Sequence, residues 1–316
     1  MMRKRLVLSG LAAIGCGLAA WAYLAGPKAL TADQMAARYE TPLPLPTGPL
    51  KVFHLGHSLV GRDMPSMLAQ LAGHEHASQL GWGTPLKAHW EPDEAIQGFE
   101  VENAHDHFRD AKGALASGYY DAFILTEMVE LEAAIAYFNA VGYVGKWVSA
   151  ARSGNPEIRV YLYETWHELD DPQGWLNRLD TDPGRYWEGT LLAGAMASDP
   201  DAPAIYVVPA GRVMAEFVRR IEASGGVGAV VSREDLFARQ DDGTVDQIHI
   251  NDLGAYLVAL THYAVLYQTS PLGLPTELLR ADGTPATAPS PELARLMQQT
   301  VWDVVSVLPV TGIPQN

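Results

Sequence analysis

The chain has 316 residues, of which 48% are hydrophobic and 19% are charged, and this composition is typical of a globular domain with a buried core. Thirty-seven acidic residues against 22 Lys and Arg give a formal net charge of -15. Such a charge repels phosphate backbones and anionic lipid surfaces, so it excludes nucleic acid as an expected partner and favours a small-molecule or glycan ester as substrate.

Residues 1–30 are predicted to direct export. Three basic residues at 3–5 precede an uncharged apolar run at 6–25, which is the pattern of a signal peptide. The run also has the length of a membrane-spanning helix, so a cleaved signal and a membrane tether through residues 4–25 both stay open. We expect an exported protein, periplasmic or extracellular, with or without an anchor in the inner membrane. The only cysteine, Cys16, lies in this run, so the rest of the chain has neither a disulfide nor a thiol nucleophile.

The remaining chain is predicted to form one domain with short flanking segments. Four prolines punctuate residues 31–49, which are therefore expected to form a linker with at most a short helix. The main domain is expected over residues 50–270. Residues 271–316 are expected to form a carboxyl-terminal extension whose helix packs on the same domain.

Short apolar runs alternate with segments of helical periodicity along the main domain. Strands are predicted at residues 50–55, 86–90, 121–125, 158–163 and 205–208, of which 86–90 has the weakest pattern. Helices are predicted at residues 63–71, 103–116, 131–151, 185–196, 212–223, 251–267 and 290–307. This alternation predicts an α/β fold, a three-layer α/β/α sandwich with a mainly parallel sheet. In such a sheet, ligands bind at the carboxyl ends of the strands.

A serine follows the first predicted strand. Ser58 lies in a Gly-His-Ser-Leu turn at residues 56–59, directly before a predicted helix. A turn of this kind exposes the hydroxyl, and the helix start offers backbone N–H groups to a developing anion. Ser58 is therefore a candidate nucleophile, although on this segment alone a helix-capping serine is the commoner interpretation.

An acid and a histidine lie close together near the end of the domain. Asp246 and His249 are three residues apart on a predicted loop before a helix. The carboxylate can hold one imidazole tautomer while the other ring nitrogen faces a serine hydroxyl. Alone, the pair is equally compatible with a surface turn and a solvated histidine.

Together the two segments resemble the SGNH, or GDSL-like, hydrolase family. The resemblance rests on the Gly-His-Ser-Leu block at 56–59 and the Asp-Gln-Ile-His block at 246–249, in that order along the chain. It implies a flavodoxin-like three-layer sandwich and hydrolysis of acylated lipids or carbohydrates. It also implies a triad of Ser58, His249 and Asp246 that needs no cofactor.

The resemblance also implies an oxyanion hole with three donors. The family takes these from the nucleophile's own N–H, from a glycine after the second strand and from an asparagine after the third. Here they correspond to Ser58, to Gly98 with Gly81 and Gly83 as rivals, and to Thr126, because no asparagine follows the third strand. Loss of one donor costs a factor of roughly 10² to 10³ in rate, so this departure puts catalytic competence in question.

Candidate substrate-binding residues lie at predicted strand ends. His57 precedes the serine, Glu127 follows the third strand, and Glu164 and Trp166 follow the fourth. Tryptophan beside carboxylates suits a sugar ring, whose C–H face stacks on the indole. Trp82 is among three further tryptophans that fit this use or a partly buried position equally well.

Four other clusters, of three kinds, receive no functional role. The His-Glu-His and His-Asp-His triplets at 74–76 and 105–107 fall in or beside predicted helices, where residues two apart point about 200° away from each other. No metal site is therefore expected. The glutamates within 127–132 fit a solvated helix start better than a glycosidase pair, and the glycines at 225–228 fit a turn better than a phosphate loop.

The sequence thus predicts an exported serine esterase that removes acetyl or other acyl groups from a carbohydrate or another small ester. Two alternatives stay open. One is a polysaccharide O-acetyltransferase of the same type, and the other is a non-catalytic glycan-binding member of the family.

Overall fold

A computed structural model describes residues 29–315 of the chain. The predicted signal or anchor over 1–30, with its tether at 4–25 and Cys16, lies almost entirely outside the described residues. Among the residues described, no helix combines the length and the apolar character that a membrane crossing requires.

The centre of the molecule is a five-stranded sheet. Its strands, in chain order, are β1 (Lys51–His57), β2 (Glu75–Gly81), β3 (Ala122–Leu125), β4 (Arg159–Glu164) and β5 (Tyr206–Pro209). They lie in the order β2-β1-β3-β4-β5, and every neighbouring pair is parallel. All five strands therefore direct their carboxyl ends to one edge of the sheet.

The helices are α1 (Ala32–Ala37), α2 (Asp63–Ala72), α3 (Leu86–Trp90), α4 (Phe99–Glu102), α5 (Ala111–Ala116), α6 (Leu131–Tyr137), α7 (Ala140–Gly154), α8 (Trp175–Asp182), α9 (Ala193–Ala197), α10 (Ala210–Ser224), α11 (Asp252–Tyr267) and α12 (Pro291–Val305). A π-helical segment, Pro183–Leu192, joins α8 to α9. A short antiparallel hairpin of β6 (Phe237–Arg239) and β7 (Val245–Ile250) precedes α11.

Helices cover both faces of the sheet and create two buried cores. Successive residues of a strand point to opposite faces, and β1 shows the division. Val52 packs against the layer of α2, α10, α11 and α12, whereas Phe53 and Leu55 pack against the layer of α5, α6 and α7. This arrangement confirms the predicted three-layer α/β/α sandwich.

The segment before the sheet runs along the amino ends of the strands. The Tyr39 hydroxyl donates a hydrogen bond of 2.7 Å to the carbonyl oxygen of Ile205, directly before β5. The Leu43 N–H donates to the carbonyl oxygen of Gly312 at 3.2 Å. Residues 29–49 therefore lie against the sheet edge opposite the one where parallel sheets bind ligands.

The predicted second strand is wrong. Residues 86–90 form α3, and the second strand is β2, where no strand was predicted. A hydrophobic pattern misses β2 because its buried residues include Ser78 and Gln79. The Gln79 amide is satisfied inside the fold, because its Oε1 accepts the Ala111 N–H at 2.8 Å and its Nε2 contacts His89 at 3.0 Å.

Three predicted helices have different bounds. Residues 103–116 contain only α5 after an irregular stretch, because Asn103 uses its side-chain amide to pair with the backbone of Leu80. Residues 131–151 divide into α6 and α7 at Asn139, whose φ of 53° is left-handed. Residues 185–196 are π-helical for most of their length.

Neither histidine triplet lies within a helix. His76 belongs to β2, and residues 105–107 form a turn beside it. The rings of His76 and His107 stack with their centroids 4.1 Å apart. The prediction that helical geometry points the histidines of each triplet away from each other is therefore wrong.

Candidate active site

Ser58 occupies the turn between β1 and α2. The turn closes through a hydrogen bond of 2.9 Å from the Val60 N–H to the carbonyl oxygen of His57. Gly56 lets β1 approach the end of β3, since a Cβ at this position would lie 2.6 Å from Cγ2 of Thr126. The serine thus stands at the carboxyl end of an internal strand, as predicted.

His249 lies on β7, which was predicted to be a loop. Two hydrogen bonds attach this strand to the segment that follows β4. Trp166 donates its indole N–H to the carbonyl oxygen of Ile248 at 2.8 Å, and the Leu169 N–H donates to that of Gln247 at 2.8 Å. These bonds hold the strand that carries His249 against the carboxyl edge of the sheet.

The structure brings the predicted nucleophile, base and acid into one hydrogen-bonded chain. His249 Nε2 lies 3.0 Å from Ser58 Oγ. His249 Nδ1 lies 3.1 Å and 3.2 Å from the two carboxylate oxygens of Asp246. Because a carboxylate can only accept, Nδ1 carries the proton and Nε2 is left to accept the serine proton.

Asp246 is held in its charged form. Burial raises the pKa of its carboxyl, but hydrogen bonds from the backbone N–H groups of His249 and Ile248 and from the imidazole outweigh burial, so the pKa lies below its ordinary value. Both N–H groups donate to Oδ1 at 2.9 Å. A carboxylate with this set of donors stabilises an imidazolium at His249.

Ser58 and His249 open onto a cleft of about 700 Å³. One wall is Trp82, which is 50% exposed and whose indole N–H donates to Glu102 at 2.7 Å. Glu130 and Glu168 line another part of the cleft. The cleft therefore offers an aromatic surface and carboxylates around the serine hydroxyl.

No protein-family model matches the chain, and no curated protein matches it. Similar solved structures include a DUF4886 family protein from Bacteroides uniformis, at 13% identity and a TM-score of 0.50, covering 81% of this chain and 95% of that one. Another is a protein described as a GDSL-like lipase from Parabacteroides merdae, at 11% identity and a TM-score of 0.42, covering 72% of this chain and 99% of that one. A third is a carbohydrate esterase family 3 protein from Talaromyces cellulolyticus, at 14% identity and a TM-score of 0.37, covering 69% of this chain and 97% of that one.

The strand order, the serine after β1 and the Asp-His pair before α11 agree with the resemblance seen in the sequence. The chain has a doubly wound three-layer α/β/α fold. At 13% identity, the likeness to the Bacteroides uniformis protein concerns the fold alone. The chemistry of this fold must be argued from its own residues.

Of the predicted oxyanion donors, Ser58 lines the cleft and Gly98 does not. Gly98 has a φ of 68° and lies beneath the Trp82 indole, where a Cβ would come within 2.2 Å of the ring. Gly83 is the second residue after β2 and lines the cleft together with Ser58. Its place in the cleft therefore favours Gly83 over Gly98 as the glycine donor.

Thr126 has no donor free for an oxyanion. Its hydroxyl donates to the carbonyl oxygen of Tyr163 at 2.8 Å, and its N–H donates to that of Leu55 at 3.1 Å. The side chain is also fully buried. Its geometry therefore does not support the predicted role of Thr126 in the oxyanion hole.

Glu127, a predicted substrate contact, is fully buried. Its Oε1 accepts the backbone N–H groups of Leu86 at 3.1 Å and Met128 at 2.9 Å. Burial raises the pKa of the carboxyl to about 7, against the lowering effect of these two bonds. The carboxylate holds α3 beside β3, and no surface is left for a substrate.

Two other predicted substrate contacts are also buried. The Glu164 carboxylate accepts the Arg212 N–H at 2.9 Å and lies 2.8 Å from the Arg212 guanidinium. Trp166 is fully buried and reaches β7 instead of the cleft. Neither residue reaches the cleft, because α10 covers Glu164 and the β6–β7 hairpin covers Trp166.

His57 borders the cleft but is fixed by the backbone. Its Nε2 donates to the carbonyl oxygen of Glu127 at 2.9 Å, and its Nδ1 accepts the Leu59 N–H at 3.4 Å. Burial lowers the pKa of this histidine to about 4, so the ring is neutral. It shapes the turn around Ser58.

Sequence reasoning named Trp82 only as one of three further tryptophans that fit a sugar-binding use or a partly buried position equally well. Its position became recognisable only with the true second strand, because Trp82 and Gly83 are the first residues after β2. The signal was present as a tryptophan and a glycine in succession after a polar strand, which a search for apolar runs does not detect.

Proposed function

We propose that the protein is a serine esterase that removes acyl groups, acetyl in particular, from a carbohydrate or another small ester. The observation that carries this proposal is the contact of 3.0 Å between His249 Nε2 and Ser58 Oγ, with the Asp246 carboxylate behind the imidazole. This is the arrangement that a serine needs in order to lose its proton as it attacks.

In the proposed reaction, Ser58 Oγ attacks the ester carbonyl carbon while His249 Nε2 accepts the hydroxyl proton. Asp246 stabilises the imidazolium, and the backbone N–H groups of Ser58 and Gly83 receive the oxyanion. The imidazolium then protonates the leaving alkoxide, which departs as the alcohol. His249 then deprotonates a water molecule, whose oxygen attacks the acyl carbon, and the imidazolium returns this proton to Ser58 Oγ as the acyl–Oγ bond breaks and the acid is released.

The cleft supports a glycan ester as the substrate class. Trp82 presents half of its surface beside Ser58, and an indole can stack on the C–H face of a sugar ring. The net charge of -15 favours a neutral ester over a polyanion. We also propose that residues 1–30 direct export of the chain to the periplasm or to the extracellular space.

Two alternatives share this site and are separated by experiment. An O-acetyltransferase would pass the acyl group from Ser58 to a sugar hydroxyl instead of to water. A non-catalytic glycan-binding protein is favoured by one observation, namely that both donors of Thr126 are already engaged.

The test is hydrolysis of p-nitrophenyl acetate, p-nitrophenyl butyrate and acetylated sugars by the full-length protein and its Ser58→Ala and His249→Ala variants. We expect turnover by the wild type and a fall to background in both variants, with circular dichroism unchanged. Ser153→Ala, an exposed serine on α7, is the matched control and should keep full activity. Turnover only with a sugar acceptor would favour the transferase, and glycan binding unchanged by Ser58→Ala without turnover would favour the binding protein.

A further inference from the structure

Three metal-ligating side chains converge at the side of the cleft. They are Glu130, His167 and Asp171, and each offers one donor atom within 4.8 Å of the other two. Glu130 lines the cleft directly before α6, while His167 and Asp171 belong to the loop that follows β4. No step of the proposed ester hydrolysis uses any of them.

His167 supplies the observation that indicates a missing ligand. Its side chain is only 4% exposed, and its Nε2 lies 2.9 Å from Oδ2 of Asp182. Its Nδ1 is buried and has no hydrogen-bond partner within residues 29–315. A buried polar atom without a partner destabilises the folded state, so this nitrogen should have a ligand.

Asp182 sets the tautomer of that histidine. Asp182 Oδ2 lies 2.9 Å from His167 Nε2 and accepts a hydrogen bond of 2.7 Å from Arg178 Nε. Because the carboxylate accepts the hydrogen bond, Nε2 carries the proton and Nδ1 keeps a lone pair. A carboxylate behind a histidine in this way is the usual support of a metal-binding imidazole.

The local charge also calls for a cation. Glu130, Asp171 and Asp182 bring three carboxylates to the cluster. One guanidinium opposes them, because Arg178 lies 2.8 Å from Asp171 and 2.7 Å from Asp182. Three negative charges and one positive charge leave a formal charge of about -2, which a single divalent cation neutralises.

We propose that Glu130, His167 Nδ1 and Asp171 bind one divalent cation of the zinc or manganese class at the wall of the cleft. One imidazole nitrogen with two carboxylates suits these ions, whereas calcium and magnesium prefer oxygen alone. Zinc binds such atoms at roughly 2.0–2.2 Å, so the three donors, which lie within 4.8 Å of one another, must move closer together to share one ion, and the Glu130 side chain is exposed.

The ion has a structural consequence. The loop that supplies His167 and Asp171 also carries Leu169, whose N–H donates to Gln247 on β7. A cation that joins this loop to Glu130 therefore links the start of α6 to the strand that carries His249. Binding should stabilise the folded chain by mass action, because the unfolded chain does not hold these three groups together.

The test uses full-length protein freed of metal with EDTA, titrated with Zn²⁺ alone and with Mn²⁺ alone by calorimetry, with thermal unfolding in parallel. We expect one ion per chain for at least one of the two metals and a rise in Tm of several degrees. Glu130→Gln should weaken binding at least tenfold while leaving the Tm of the metal-free protein unchanged, because Glu130 is exposed. Asp171→Asn should weaken it as well.

Two controls locate the ion. Glu168→Gln removes the same charge from the same cleft and should bind the ion as the wild type does. His107→Ala disrupts the separate pair of stacked histidines, His76 and His107, and should also leave binding unchanged. The proposal is overturned if neither ion binds at one per chain, if Glu130→Gln and Asp171→Asn bind like wild type, or if His107→Ala abolishes binding.

Discussion

The indole N–H of Trp166 donates a hydrogen bond of 2.8 Å to the carbonyl oxygen of Ile248, the residue directly before His249. Trp166 is fully buried, so it cannot touch a substrate. This hydrogen bond instead fixes the position of β7 relative to the sheet, and therefore the distance between the His249 imidazole and Ser58. Trp166 is thus a positioning residue for the proposed base.

Trp166→Phe should lower kcat for p-nitrophenyl acetate roughly tenfold and leave KM nearly unchanged, because displacement of a reacting group by a fraction of an ångström affects the transition state more than binding. The lost hydrogen bond should also cost about 1 kcal/mol of stability. Trp175→Phe is the control, since it loses a similar buried bond to the carbonyl oxygen of His167. An equal fall in kcat in both variants would mean that general destabilisation is the cause.

Asp246→Asn should reduce kcat by about 10³ to 10⁴ while the chain stays folded. The carboxamide would donate to His249 Nδ1, and the proton would move to Nε2, where the imidazole can no longer accept from Ser58. Steady-state kinetics with p-nitrophenyl acetate measure the change. Asp242→Asn alters an exposed acid in the turn of the same hairpin and should keep the wild-type rate. Wild-type kcat in Asp246→Asn would exclude the proposed role of Asp246.

Trp82→Ala should raise KM for acetylated sugars severalfold and change KM for p-nitrophenyl acetate much less. The reason is that a small ester needs only the Ser58 region, whereas a sugar ring would lose its stacking surface. Trp82→Phe keeps an aromatic face without the bond to Glu102 and should fall between the two. If all three proteins have the same KM for sugar esters, the substrate does not lie against this wall.

His54→Leu should stabilise the protein, increasingly at lower pH. His54 is fully buried, and neither ring nitrogen has a partner within residues 29–315. Burial, and to a smaller extent nearby His262, lower the pKa of His54 well below its ordinary value of 6.5. Below pH 6.5 the unfolded chain therefore binds a proton that the folded chain refuses, and stability falls as the pH falls.

At pH 7 the variant should gain about 1–3 kcal/mol by removing an unpaired buried polar group. Below pH 6.5 the gain should grow by up to about 1.4 kcal/mol per pH unit. Urea unfolding between pH 5 and pH 7.5 measures both effects. A gap between wild type and His54→Leu that stays constant with pH would show that His54 does not titrate on unfolding.

The sequence allowed the sheet class to be predicted because four of its five strands contain a short apolar run. β2 was missed because it buries Ser78 and Gln79, and the Gln79 amide is satisfied by His89 and Ala111, 10 and 32 residues away in the sequence. The periodicity of hydrophobic residues reveals a buried strand only where the buried side chains are apolar. A polar strand that is paired by tertiary hydrogen bonds carries no such signal.

The candidate site divides in the same way. Ser58, Asp246 and His249 could be found because each sits in a short segment whose residue types suffice for the chemistry. Glu127, Glu164 and Trp166 were also at strand ends, but their side chains turn inward to bond Leu86, Arg212 and Ile248. Position along a strand does not reveal which way a side chain faces when loops and helices cover the strand end.

Residues 29–49 and the candidate active site lie at opposite ends of the sheet. This segment lies against the amino ends of the strands through Tyr39 and Leu43, whereas Ser58 opens at the carboxyl ends. The polypeptide therefore enters the domain on the side opposite the cleft. A chain held at Ala29 would therefore present its cleft away from the point of attachment.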